Sequence, residues 1–177
     1  MPAPDAKPVL QSPRLRLRAP APPDAPRIAE LASDPDIARM TTRMPYPYGL
    51  KDAEAFIERT LNQDLRRDVT FLVESQADGP VGMLGFFTEG PVGPELGYWI
   101  GRPCWGRGYA TEAAATALDW AHRSWGKRAI VAGFFTDNAA SGRVLEKTGF
   151  LHTGVVESRW SEARGAEAPT RLMVRIA

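Results

Sequence analysis

Apolar and polar residues alternate from Arg14 to Arg18 (RLRLR), the two-residue period of a half-buried strand. The period then lengthens. Asp24 stands where a cap would open a helix through Leu31, with Ile28 and Leu31 on one face. Asp34-Pro35-Asp36 restarts a short helix near Met40, and Arg43 to Gly49 reads as a proline-aromatic loop. Asp52 to Leu65 gathers Ala53, Phe56, Ile57, Thr60 and Leu61 into one helical stripe. Strands are expected at Val69–Glu74, Val81–Thr88 and Leu96–Gly101, separated by Asp78-Gly79-Pro80 and a Gly/Pro turn from Gly90 to Pro94. The alanine-rich stretch Arg107–Ser124 has strong helix propensity. Ala129–Phe135 is an unbroken apolar run, the pattern of a buried central strand. Asn138–Thr148 is a helix closed by Gly149, with Phe150 behind it. Leu151–Ser158 and Thr170–Ile176 complete seven strands, joined by a polar segment from Ser161 to Pro169.

This order places a helix between the strands at Leu96 and Ala129, which requires a parallel pair with a right-handed crossover. The neighbouring strand pairs lack such crossovers and read as antiparallel. The expected class is therefore α/β (α+β), a mixed, mostly antiparallel seven-stranded sheet with helices on both faces. Residues 1–13 read as a loose lead-in and residues 14–177 as a single domain.

Composition narrows the function classes. The chain has 177 residues, with 22 basic against 21 acidic side chains and a net charge of +1. That balance argues against a nucleic-acid binder, which carries a basic excess or stripe. No apolar run reaches the roughly 18 residues a membrane span needs. One cysteine, Cys104, excludes an internal disulfide and fits a reducing, cytoplasmic location.

The candidate chemistry begins at Trp105-Gly106-Arg107-Gly108-Tyr109-Ala110-Thr111-Glu112, which follows a strand and opens a helix. Two glycines leave the backbone uncrowded. The first amides of a helix have no internal partner, and the helix dipole adds positive potential there, so a diphosphate suits the turn. Arg107 is positioned to add a charged contact. A nucleotide P-loop requires a Gly-Lys-Ser/Thr run that is missing, and a dinucleotide-binding turn requires a third small residue where Thr111 stands. A coenzyme A diphosphate turn and an ordinary strand-to-helix turn both remain.

Further blocks bear on the choice. Glu95-Leu96-Gly97-Tyr98-Trp99-Ile100, the Trp105–Ala113 block, Asn138-Ala139-Ala140-Ser141 and Leu145-Glu146-Lys147-Thr148-Gly149-Phe150 occur in the order and spacing of the GNAT superfamily. From Arg14 to Ile176 the chain resembles its ribosomal-protein N-terminal (Rim-type) branch. Trp105 departs from the Arg/Gln that usually opens the family turn, while Gly108 and Ala110 match it. The resemblance implies a central parallel strand pair that splays apart to admit pantetheine. It implies acetyl-CoA as donor, no metal, and direct transfer to a primary amine on a protein N-terminus or a small molecule. A homodimer is the assembly expected of similar proteins. A CoA-binding sensor that has lost transfer is the alternative from another class.

Carried onto this sequence, the resemblance makes Trp99, Ile100 and Gly101 main-chain contacts for pantetheine. Gly106, Arg107, Gly108, Tyr109, Ala110 and Thr111 become the diphosphate site. Asn138 takes the role of a pantetheine ligand, though asparagine also caps helices unaided. Ser141 takes the role of the acid that protonates the leaving thiolate, or is a backbone-bonded serine. Glu95, at the head of the strand, is the general-base candidate or a surface carboxylate. Tyr46, Tyr48 and Trp160 are placed to wall the acceptor pocket, or pack as ordinary loop residues. His122 and His152 read as structural.

Overall fold

The structure is a computed structural model that describes residues 6–177. Eight strands form one sheet: β1 (Leu10–Gln11), β2 (Leu15–Arg18), β3 (Val69–Ser75), β4 (Gly79–Phe87), β5 (Glu95–Ile100), β6 (Ala129–Phe135), β7 (Leu151–Ser161) and β8 (Ala166–Ile176). The helices are α1 (Ala25–Ala32), α2 (Pro35–Ala38), α3 (Leu50–Leu61), α4 (Tyr109–Arg123) and α5 (Ala139–Lys147). The order across the sheet is β1-β2-β3-β4-β5-β6-β8-β7. Among the described residues only β5 and β6 run parallel; every other neighbouring pair is antiparallel.

The eighth strand lies within the expected lead-in, where Leu10 pairs with Leu17. Two residues are too few to show alternation. The pairing is fixed by a turn instead, in which the Ser12 N–H donates to the Leu15 carbonyl at 2.9 Å. Residues 1–5 of that lead-in lie outside the described residues.

Two apolar layers cover the sheet. On one face α4 lays Ala113, Ala114, Ala117 and Ala121 against Leu17, Phe71, Leu84 and Phe86, all essentially buried. Alanine lets the helix approach closely. Trp120 and Trp125 stack at 5.4 Å at its end. On the other face α1 and α3 supply Ala25, Ile28, Ala53 and Ile57 to a cluster with Leu72 and Met83. Leu61, expected on the α3 stripe, is half exposed because the helix ends there. β6 is fully buried on one face, at Ile130, Ala132 and Phe134, whereas on the other Ala129, Val131 and Gly133 are partly open and Phe135 at its end is covered. Its apolar run reads as two buried faces, but α5 covers one and a cleft borders the other.

Asp24 does not cap α1 with its side chain. It accepts two hydrogen bonds from Arg18, at 2.8 and 2.9 Å, and one from the Ala21 N–H. Burial alone would raise the Asp24 carboxyl. The Arg18 and Ala21 contacts outweigh burial and hold it below the usual carboxylate range. A lowered folded value stabilises the fold above the unfolded value near 3.9, and that stability is lost as pH falls through the folded value. Asp24→Asn is therefore expected to cost about 2 kcal/mol at neutral pH, lowering Tm by roughly 4–8 °C. The gap from wild type should narrow as pH falls below the unfolded value and close once it has passed through the lower folded one, as thermal melts across pH would show.

Candidate active site

The turn before α4 is built by two left-handed glycines, Gly106 (φ 74°) and Gly108 (φ 77°). A Cβ at Gly106 meets nothing within 4 Å, so the constraint there is conformation rather than space. Six consecutive amides, Gly106 through Thr111, have no hydrogen-bond acceptor among the described residues. The next one, of Glu112, donates to the Gly108 carbonyl at 3.0 Å. Unpaired backbone N–H groups are costly unless water or a ligand meets them. Here they lie in a row at the positive end of a 15-residue helix. The turn fits a diphosphate.

Side chains hold this cradle from below. Tyr109 is buried, and the Arg14 guanidinium lies over its ring at 4.8 Å. Arg14 also pairs with Glu112 at 2.7 Å and donates to the Arg107 carbonyl at 2.9 Å. Arg107, expected to reach a phosphate, is paired with Asp78 at 2.8 Å. Trp105, the departure from the family pattern, donates its indole N–H to the Ile100 carbonyl at 2.6 Å. Its ring is covered by Arg102, 4.7 Å away, which also binds Asp34 and Asp36. Trp105 therefore braces the turn against β5.

β5 and β6 pair only at their starts, in the single register Glu95–Val131. There the Val131 N–H donates to the Pro94 carbonyl at 3.0 Å. Past that point the strands part and leave a gap. The Gly101 N–H donates to the Val81 carbonyl at 2.8 Å, so Gly101 addresses β4. Antiparallel alternation gives Trp99 the same direction and turns the main chains of Tyr98 and Ile100 toward the gap. Of the three expected main-chain contacts, Ile100 alone faces the gap, and its carbonyl is already held by Trp105. The Trp99 side chain joins the α1/α3 cluster beside Tyr48.

Asn138 occupies the N-cap of α5, its Oδ1 accepting from the Ser141 N–H at 3.3 Å. The capping reading is thus realised, and its amide NH2 has no partner among the described residues. Ser141 is engaged by Tyr98. The Tyr98 hydroxyl lies 2.9 Å from Ser141 Oγ and donates toward the Ser141 carbonyl at 3.0 Å. Burial pushes the Tyr98 phenol up to about 12. Sequence reasoning passed over Tyr98. The available signal was parity, since Leu96, Tyr98 and Ile100 share one face of β5 and Glu95, Gly97 and Trp99 the other.

Glu95 therefore lies across the sheet from Ser141. Its carboxylate accepts from Arg159 at 2.6 Å, and Arg159 also pairs with Glu157 at 2.7 Å. Gly133 permits this, because a Cβ there would sit 3.0 Å from the Arg159 guanidinium. Gly85 and Gly97 face each other in register, and a Cβ at Gly85 would fall 2.8 Å from the Phe87 ring. Tyr48 is half-buried, and burial pushes its phenol up to about 12. Tyr46 and Trp160 are half exposed.

The β7–β8 turn is tied down where sequence gave no signal. Arg164 grips Asp137 through two hydrogen bonds, at 2.8 and 2.9 Å, and donates to the Arg39 carbonyl at 2.6 Å. Ser161 and Glu162 bond the carbonyls of Thr41 and Thr42. His122 reaches the Lys127 carbonyl and His152 pairs with Glu146, so neither meets the cleft groups named above.

Comparison with known proteins agrees with this geometry. A family model described as an acetyltransferase (GNAT) domain matches residues 14–151, well over half the chain. The chain is 32% identical over 170 residues to the uncharacterized protein YkkB of Bacillus subtilis (strain 168), covering 89% of this chain and 93% of that one. A solved RimL, a ribosomal L7/L12 alpha-N-protein acetyltransferase in complex with coenzyme A, shares the fold with a TM-score of 0.82 at 19% identity, over 96% and 98% of the two chains. Spermidine N-acetyltransferase from Vibrio cholerae, in complex with CoA and spermine, gives 0.76 at 19% identity, over 93% and 96%. The chain belongs to the GNAT family and is an acetyl-CoA-dependent acetyltransferase.

Proposed function

We propose that this protein transfers an acetyl group from acetyl-CoA to a primary amine, with a protein N-terminal α-amine as the favoured acceptor. The observation that carries the reading is the row of six unpartnered amides at the α4 N-terminus, beside the open end of the β5–β6 pair. The amides of Gly106 to Thr111 hold the diphosphate. The main chains of Tyr98 and Ile100 and the free amide of Asn138 line the path of the pantetheine arm. Bound acetyl-CoA supplies the activated thioester. RimL acts on a protein α-amine by its description, and the Vibrio enzyme carries spermine, so both acceptor classes occur on this fold.

The chain's own residues divide the proton work by face. Glu95 takes the amine proton on the acceptor side, held in orientation by Arg159. Ser141 donates a proton to the leaving sulfur on the other side. Tyr46, Tyr48 and Trp160 wall the acceptor entrance. The chemistry favours an α-amine. With a pKa of 7.7–8.0 it costs about 1 kcal/mol to neutralise at pH 7, whereas a lysine amine near 10.4 costs roughly 4–5 kcal/mol. A cytoplasmic setting and a homodimer complete the reading.

The test is a panel of amines, N-terminal peptides and polyamines included, scored by release of free thiol from acetyl-CoA. An N-terminal peptide should be used best. Its kcat/KM should rise about tenfold per pH unit up to roughly pH 7.5–8 and then level, following the free amine. Polyamine turnover with peptides inert would move the acceptor to small molecules. Acetyl-CoA bound without thiol release across the whole panel would make the chain a sensor.

A further inference from the structure

We propose that Tyr98 is a positioning residue for Ser141, forming with it a two-hydroxyl pair that prepares the serine to protonate the leaving sulfur. This rests on the acetyl-transfer reading and extends it to a residue on a different element. Three observations carry it. Tyr98 is on β5 and Ser141 on α5, so the contact crosses the gap between the parted strands. The Tyr98 hydroxyl reaches two acceptors on one residue, the Ser141 carbonyl at 3.0 Å and Oγ at 2.9 Å. Tyr98 is packed against the buried α4-side cluster, so its ring is held while its hydroxyl points into the gap region.

A phenol has one proton and cannot donate to both acceptors at once. When it donates to the carbonyl, Ser141 Oγ–H donates to the phenol oxygen and is turned away from any ligand. When it donates to Oγ, the serine proton is released from that bond and is free to face sulfur. The second arrangement also answers the charge that develops. As the Ser141 O–H bond breaks and the S–H bond forms, negative charge gathers on Oγ, and the Tyr98 O–H meets it with a charge-assisted hydrogen bond. Because a phenol is a stronger acid than an aliphatic hydroxyl, the Tyr98 proton passes to Oγ as Ser141 gives its own to sulfur, and solvent water returns a proton to Tyr98 after the products leave. Hydroxyls linked in series also polarise one another, strengthening the outer donor. A serine hydroxyl alone is a weak acid; a serine backed by a buried phenol is a better one.

The experiment compares wild type, Tyr98→Phe, Ser141→Ala and the double variant. Tyr98→Phe keeps the ring and its packing. Its kcat is expected to fall about tenfold with KM for acetyl-CoA within about twofold, and Ser141→Ala to fall further. The double variant should match Ser141→Ala within about twofold, because the phenol acts through the serine. A second readout needs no turnover: the pH titration of bound coenzyme A followed by ultraviolet thiolate absorbance. The midpoint should move to higher pH in Tyr98→Phe and in Ser141→Ala, with no further shift in the double. If Tyr98→Phe fails to fold, fluorotyrosine placed at position 98 makes a stronger donor in the same packing and should lower the midpoint. Unchanged kcat and midpoint in Tyr98→Phe, or effects that multiply in the double variant, overturn the pairing alone. A wild type that neither binds coenzyme A nor releases thiol overturns the acetyl-transfer reading and the pairing together.

Discussion

Replacing Gly106 and Gly108 together with valine is expected to weaken acetyl-CoA binding by at least about 100-fold, close to 2.7 kcal/mol. Both glycines hold positive φ, where a β-branched residue is strained by roughly 1–2 kcal/mol. Nothing crowds a side chain at Gly106 and only ordinary contact with Arg14 awaits one at Gly108, so the strain is relieved by turning the backbone. That turns the free amides out of their present arrangement. The rest of α4 is anchored by the buried Tyr109 and the alanine face, so the fold should survive with Tm lower by about 5–10 °C. Calorimetry with acetyl-CoA measures the effect, and circular dichroism checks the helix content. Gly106→Ala alone is the milder variant if the pair destabilises too far. Undiminished affinity in a folded double variant would remove the diphosphate from this turn.

Ser141→Ala carries the second large effect. Its kcat should fall about 100-fold, while KM for acetyl-CoA stays within about twofold, because the proton moves only in the transition state. The fold should lose about 1 kcal/mol or less, since the Tyr98 hydroxyl keeps the Ser141 carbonyl as an acceptor and is not left orphaned. The Asn138 cap is also kept, as it uses the Ser141 main-chain N–H. Steady-state kinetics with the best amine of the panel gives both constants. A raised KM with kcat intact would make Ser141 a cofactor-binding residue only.

Much of the fold was readable because its signals are local. The RLRLR alternation, the alanine helix, the Gly149–Phe150 stop and the apolar Ala129–Phe135 run each report their own element, and the structure has an element at each. The cradle was readable too, since glycines before a helix state what the backbone must do. Other features depended on partners far away in sequence. Leu10–Gln11 is a strand only because Leu17 lies alongside. Asp24 abandons its capping role for Arg18, and Arg107 is bound to Asp78, 29 positions before it. The direction of each main chain in β5 is set by its pairing with β4, which no pattern within the strand reveals. Parity places Tyr98 on a face of β5 but does not name its partner, since Ser141 lies 43 positions on and on another element.

The claim on which the rest depends is that free amides at the start of α4 grip the diphosphate of coenzyme A. The most direct measurement is calorimetric titration of the wild-type chain with coenzyme A and, separately, with pantetheine, which lacks the diphosphate and nucleotide. The account predicts measurable heat with coenzyme A and affinity at least about 100-fold weaker for pantetheine, a difference of about 2.7 kcal/mol. Equal affinity for the two, or no binding of coenzyme A at all, would contradict it.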